Sequence, residues 1–190
     1  MTDYNSMNPI NIVIGVITAI ILWVIFTYNG LIRLRNRMRE AWADIDVQLK
    51  RRHDLIPNLI ESVKGYMAHE RGVLENVTKA RTAIMNARSQ KDIQDGENML
   101  TGALKSLFAV SENYPDLKAS SNFIELQREI RDTEDKIMAA RRFYNNNVMT
   151  LNTKIESFPS NILAKSFGFK QAELFEIQVE GERELPQVKF

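Results

Sequence analysis

Residues 9–39, PINIVIGVITAIILWVIFTYNGLIRLRNRMR, decide the architecture. No charged side chain occurs between Tyr4 and Ile32, and Pro9–Tyr28 is interrupted only by Asn11, Thr18 and Thr27. About 20 such residues, each rising ~1.5 Å, cover the ~30 Å hydrocarbon core of a bilayer, so a transmembrane helix is expected over 9–32. Tyr4, Trp23 and Tyr28 supply amphipathic rings near its ends, Trp23 lying somewhat deep. A cleaved signal peptide fits less well: the leader MTDYNSMN has no Lys or Arg, and no small-x-small site follows Tyr28. Arg33, Arg35, Arg37 and Arg39 follow the apolar run directly. By the positive-inside rule they place the following chain in the cytoplasm and the leader outside. They are also able to hold anionic headgroups, although a topology signal suffices to explain them.

Beyond the arginines the chain has helical period almost throughout. Trp42, Ile45, Leu49, Ile56, Leu59 and Val63 share one helix face, and Leu74, Val77, Ile84 and Ala87 resume it. The spacing allows one helix to about Arg88. Pro57 interrupts it by removing a backbone donor, so a kink near Leu55 or two abutting helices are expected. Gly65 and Gly72 weaken the second half. The polar stretch Ser89–Gly96 predicts a surface connection. A shorter helix follows over about 97–111, with Leu100, Leu104, Leu107 and Phe108 inward. Asn113-Tyr114-Pro115 ends it, and Pro115 is suited to open the next helix.

The most regular segment comes next. Phe123, Leu126, Ile130, Thr133, Ile137, Ala140, Tyr144, Val148, Leu151, Ile155 and Phe158 advance in steps of three and four. Such a seam predicts coiled-coil-like packing along a helix of on the order of 40 residues. Phe158-Pro159 ends it, and Ser160–Phe169 is expected to add a short helix stopping near Gly168. From Lys170 the tail is acidic; Leu174–Val179 alternates briefly, and a frayed terminus is the preferred reading.

The expected fold class is therefore all-α: a single N-terminal transmembrane helix followed by an antiparallel bundle of long helices, coiled-coil-like. The expected divisions are a leader (1–8), the span (9–32), a bundle (33–169) and the tail (170–190). The expected seam comprises Trp42, Ile45, Leu49, Ile56, Leu126, Ile130, Ile137, Tyr144 and Leu151.

Composition narrows the chemistry. The 190 residues carry 25 Lys+Arg against 24 Asp+Glu, a net charge of +1, which speaks against a nucleic-acid binder. With 0 cysteines there is no disulfide framework, thiolate site or cysteine nucleophile. Eight glycines and five prolines suit helices better than a many-turned β fold. His69-Glu70 lacks the second histidine of a helical zinc motif, since the position four residues on is Val73. Lys50, Arg51, Arg52 and His53 form a cluster able to grip lipid phosphates or an acidic partner. The preferred reading is a solvated face paired with Asp44, Asp46 and Asp54. The mixed charges from Glu125 to Arg142 read as salt-bridge support for a long helix. Asn58, Asn145, Asn146, Asn147 and Asn152 are read as amides at or near the seam that fix register. No catalytic residues, metal, cofactor or small-molecule substrate are expected.

Several blocks together resemble the LemA family. They begin with Tyr28-Asn29 and Leu31, then Ala41-Trp42 and Ile45-Asp46-Val47-Gln48-Leu49-Lys50-Arg51-Arg52, and Asp54-Leu55-Ile56-Pro57-Asn58-Leu59. The pattern continues through Val63-Lys64-Gly65-Tyr66, His69-Glu70, Ala80-Arg81, Tyr114-Pro115, Leu117-Lys118-Ala119, Phe123 and Leu126-Gln127. Thr133-Glu134, Ile137, Ala140-Arg141, Tyr144-Asn145, Phe158-Pro159 and Phe167-Gly168-Phe169 close it. The resemblance implies a bacterial single-pass membrane protein with a short outer N-terminus and a cytoplasmic helical bundle. It implies no established catalytic activity; relatives are associated with membrane-stress genes and, in one branch, with magnetosome membranes. The functional expectation is a scaffold at the bacterial cytoplasmic membrane, touching the bilayer and either self-associating or docking a membrane-protein partner. The alternative is an accessory or sensor subunit of a membrane protease or transporter.

Overall fold

The computed structural model describes residues 9–175, and among them the secondary structure is entirely helical. The order is α1 (Pro9–Lys64), α2 (Arg71–Met85), α3 (Gln90–Ser111), α4 (Pro115–Lys118), α5 (Ser121–Glu156) and α6 (Ser160–Ser166). The leader and residues 176–179 of the alternating stretch lie outside the described residues. The chain forms two compact units, one from residues up to Trp42 with Arg142–Leu174, the other from Ala43–Arg141 with Phe175.

Among the described residues, α1 is the one helix long and apolar enough to cross a membrane, with a window of mean hydropathy 2.6. Only 6% of that window is buried, so the protein itself does not cover it, unlike the core helix of a soluble fold. Further along, α1 buries Leu31, Ala41, Ile45, Leu49, Ile56, Leu59 and Val63. Pro57 does not restart the helix, which corrects that alternative. Its ring is exposed and it deletes the one bond its N–H would make, while Ile56 and Leu59 beside it are completely buried. Tertiary packing outweighs a single lost hydrogen bond. The helix ends instead at Gly65, where the Tyr66 and Met67 amides both donate to the Val63 carbonyl and Met67 plugs the core.

In the second unit, Ile56, Leu59 and Val63 of α1 share a core with Val77 and Ala80 of α2 and with Leu100, Leu104 and Leu107 of α3. Leu117 of α4 and Phe123 and Ile130 of α5 complete it. Truncating any of these leucines to alanine costs roughly 2–5 kcal/mol. The expected surface connection at Ser89–Gly96 is instead mostly helix. Ser89 caps α3: its hydroxyl accepts from the Asp92 amide at 3.1 Å, and Asp92 Oδ2 accepts from the Ser89 amide at 2.9 Å. These reciprocal bonds satisfy free donors of the first turn. Gly96 then lets α3 approach α2, since a Cβ there would lie 2.6 Å from Ile84 Cγ1.

In the first unit, Leu31 of α1, Leu151 of α5 and Ala164 of α6 form a smaller core flanked by Leu34, Met38 and Ile155. Gly168, at φ 69°, closes α6. The Phe169 amide donates to the Ala164 carbonyl at 2.9 Å and the Gly168 amide to that of Lys165 at 3.2 Å, the paired bonds of a Schellman ending. The turn returns the Phe169 ring to this core.

The α5 seam is inward at every expected position but one. Phe123, Ile130, Thr133, Ile137, Tyr144, Val148 and Leu151 are buried, and Leu126, Ala140 and Ile155 are half-buried. Phe158, read as the last seam residue, is 80% exposed because it lies beyond the end of α5.

Candidate functional site

The densest chemistry is an ionic cluster inside the second unit, where α1 meets α3. Arg52 follows Leu49 by three residues and precedes Ile56 by four, so helical geometry turns it to the same buried face. Glu97 precedes Leu100 and Leu104 on the inner face of α3 in the same way. Both are only 2% exposed. Arg52 Nη2 donates to Glu97 Oε2, and Nη1 donates to Thr101 Oγ1 at 3.4 Å. His53 Nε2 lies 3.4 Å from Glu97 Oε1, outside hydrogen-bonding geometry.

Burial governs the protonation of this cluster. It pulls the Arg52 guanidinium down to about 10, against an opposing pull from Glu134 and with a further push from Arg141. Arg52 therefore stays charged at neutral pH. The His53 imidazole is held below its ordinary value, first by burial and then by the Arg52 and Arg81 charges, with Asp54 opposing. Arg52 Nε and Glu97 Oε1 have no hydrogen-bond partner among the described residues, so the network is only partly satisfied. Such a pair contributes little net stability, yet losing either member leaves an uncompensated buried charge.

The sequence reading of Lys50–His53 as a surface cluster is thus corrected in part. Lys50 and Arg51 are exposed, whereas Arg52 is sealed inside and His53 is half-buried. His53 lines a small groove of about 230 Å³ with Asp46, Lys50 and Ile84. Charge led the reading to place Arg52 outside; its three-and-four spacing from Leu49 and Ile56 was the signal that it points in.

The remaining candidates are distributed elsewhere. Arg33, Arg37 and Arg39 are exposed, while Arg35 is half-buried with its guanidinium 5.3 Å from the centre of the Phe169 ring. Trp42 meets Tyr144 edge-on at 5.4 Å, and the Tyr144 hydroxyl donates to the Glu173 carbonyl at 3.0 Å. Ile45, Leu49, Ile56, Ile130, Ile137 and Leu151 are buried, and Leu126 is half-buried. Asn152 does not act across a helix seam. Its amide clamps the segment after α6, donating to the Ala172 carbonyl and accepting from the Ala172 amide, each at 2.9 Å. Asn58 and Asn122 face an open groove of about 500 Å³ that is also lined by Glu61, Glu125 and Glu129. Among the described residues no three His, Cys, Asp or Glu side chains converge in a way that could hold a metal ion. On α5, Asp132 and Lys136 pair at 2.8 Å one turn apart.

Comparison with known proteins gives a consistent answer. The LemA family profile matches residues 41–190. Protein LemA of Metamycoplasma hominis is 30% identical over 152 residues, covering 78% of this chain and 68% of that protein. Magnetosome protein MamQ 2 of Paramagnetospirillum magneticum is 26% identical over 192 residues, covering 87% of this chain and 71% of its own. Magnetosome protein MamQ of Magnetospirillum gryphiswaldense is 23% identical over 200 residues, with 90% and 74% covered. With the family profile covering residues 41–190, from the middle of α1 through the whole of α5, the chain belongs to the LemA family.

Proposed function

We propose that this protein is a membrane-anchored helical scaffold that self-associates or docks partners at the bacterial cytoplasmic membrane, without catalysis. One observation carries the reading. The same helix, α1, supplies the lipid-length apolar stretch and contributes buried side chains to the core of each unit. Whatever binds either unit is therefore tethered to the bilayer by the chain itself. The arginines at 33, 35, 37 and 39 support an arrangement with the N-terminus outside and the helical part in the cytoplasm.

An up-and-down arrangement of long helices suits such a role. It is supported by Arg52 of α1 meeting Glu97 of α3 while Glu70, further along, accepts from the Tyr114 hydroxyl at 3.2 Å. Leu55 and Ser62 of α1 line one groove with Leu126 and Asn122 of α5. The MamQ relatives are named as magnetosome proteins, which favours membrane organisation over an enzymatic task.

In-cell cysteine crosslinking tests the proposal. The chain has no native thiol, so Gln90→Cys, at an exposed position opening α3, reports cleanly. Self-crosslinked species identified by mass spectrometry are the expected result. One dominant foreign protein would move the reading to an accessory subunit of another membrane machine. A chain that stays uncrosslinked and monomeric would overturn the scaffold.

A further inference from the structure

In the unit built from the first part of α1 and residues 142–174, the corner between α5 and α6 leaves three large apolar side chains uncovered. Phe158, in the turn between α5 and α6, is 80% exposed; Ile162 on α6 is 57% exposed; Phe167, just after it, is 54% exposed. Contacts within this unit fix their level along α1. Moving toward the N-terminus of α1, Trp42 meets Tyr144, Leu31 is buried with Leu151 and Ala164, and Tyr28 stacks obliquely on Phe167 at 4.8 Å. From Leu151 to the end of α5 the helix rises a further ~8 Å in that direction. Phe158 and α6 therefore sit beside the last turns of the apolar stretch, near Phe26 and Tyr28.

We propose that the α5–α6 corner is a foot that inserts into the headgroup–acyl boundary of the same bilayer that α1 crosses. The proposal rests on that crossing. Two observations choose lipid as the occupant. The patch is continuous, through the Tyr28–Phe167 contact, with the stretch of α1 that the protein leaves almost wholly uncovered. It is also bordered by cations at its own level: Lys154 and Lys165 lie in the last turns of α5 and α6 and Arg33 is exposed on α1, against Glu156. Apolar side chains bordered by Lys and Arg are the composition of an element that lies in an anionic interface. Isolated exposed apolar residues need no explanation, but these three occupy one corner at one depth. The foot would make a second contact with the bilayer and fix the tilt of the first unit against the membrane surface.

Nitroxide depth measurement on the full-length chain decides the matter. Single cysteines replace Phe158, Ile162, Ile17 in the middle of the span and Thr78 on the exposed face of α2. Each labelled protein is reconstituted into phosphatidylcholine–phosphatidylglycerol vesicles. Power saturation then compares accessibility to oxygen, which partitions into lipid, with accessibility to a water-soluble nickel chelate. Circular dichroism confirms that each variant keeps its helix content. The expected oxygen-to-nickel ratio at 158 and 162 is several-fold above that at 78 and below that at 17. Ratios at 158 and 162 equal to that at 78, with 17 deep, would overturn the foot and leave the anchor standing. An aqueous signal at 17 would remove the anchor and the foot together. Exclusion of both probes with dipolar broadening would show a second copy covering the corner, and would also overturn the proposal.

Discussion

Replacing Arg52 by methionine keeps the apolar stem of the side chain but removes its guanidinium, leaving the Glu97 carboxylate sealed in the core. Glu97 is 2% exposed, its Oε1 has no hydrogen-bond partner among the described residues, and the half-buried His53 beside it lies outside hydrogen-bonding geometry. Breaking such a buried pair costs about 3–5 kcal/mol. For a chain of this length each kcal/mol moves Tm by ~2–4 °C, so the variant should melt about 6–20 °C below the wild type. Glu97→Leu should do the same from the other side by stranding the guanidinium. The double variant Arg52→Met/Glu97→Leu replaces both charges by apolar groups of similar bulk, and such replacements are neutral or stabilising by about 1–4 kcal/mol.

The assay is a double-mutant cycle by thermal and denaturant unfolding, read in circular dichroism with the protein in one lipid or detergent throughout. The coupling energy should be large and favourable to the pair, because the double variant recovers most of what each single one loses. Two results would refute the reasoning. A single variant within about 0.5 kcal/mol of wild type would mean that the cluster is solvated and not sealed. Strict additivity in the double variant would mean that Arg52 and Glu97 do not share a site.

Gly96→Ala should destabilise by about 1–3 kcal/mol, because the new methyl must displace Ile84 where α3 approaches α2; an unchanged Tm would contradict that close approach. Ser89→Ala should cost about 1 kcal/mol by removing the α3 cap, seen as an earlier denaturant midpoint with the slope unchanged. Ile137→Asp places an unpaired carboxylate at a buried seam position, costing several kcal/mol, so a variant that melts like the wild type would refute the seam assignment. His53 confers a pH dependence of definite sign. Its folded value lies below the ordinary 6.5, so below that pH the unfolded chain binds the proton more readily and stability falls as pH falls. Unfolding midpoints measured between neutral and mildly acid pH should decline, and His53→Gln should flatten the decline.

Much of the fold was legible because one pattern, steps of three and four, survives any detail of packing. It places Ile45, Leu49, Ile56, Ile130, Ile137, Tyr144 and Leu151 inward without knowledge of their neighbours. The failures have separate physical causes. Pro57 is a strong local breaker, yet the burial of Ile56 and Leu59 outweighs one missing hydrogen bond; the break at Gly65 depends on Met67 finding a place in the core. Ser89–Gly96 is polar enough to read as a connection, although Ser89 and Asp92 form a capping box and Gly96 is small for packing. Phe158 keeps the spacing of the seam but lies beyond the end of the helix that gives the spacing its meaning. Arg52 and Glu97 were hidden for the opposite reason, since charge suggested surface while spacing pointed inward.

That conflict bears on how packed helices keep a single register. Leucine and isoleucine faces tolerate slippage, because a shift by one turn or one heptad exchanges one apolar contact for another. A buried charge does not tolerate it. Moving α3 by one turn along α1 would carry Glu97 about 5.4 Å from Arg52, leaving two charges in the core without partners. The registry role of a buried polar residue in helical assemblies rests on this asymmetry, in which the correct alignment gains little and every wrong alignment loses heavily. The Arg52→Met/Glu97→Leu variant separates these effects. It should be at least as stable as the wild type by unfolding while showing more than one arrangement of α3 against α1. Disulfide trapping between a cysteine at Asp46, which shares a groove with Ile93, and one at Ile93 or, about one turn earlier on α3, at Gln90 would report that heterogeneity. The wild-type background should give one ratio of trapping at the two partners, and the apolar double variant a changed one. Identical ratios in both backgrounds would show that the apolar faces alone set the alignment.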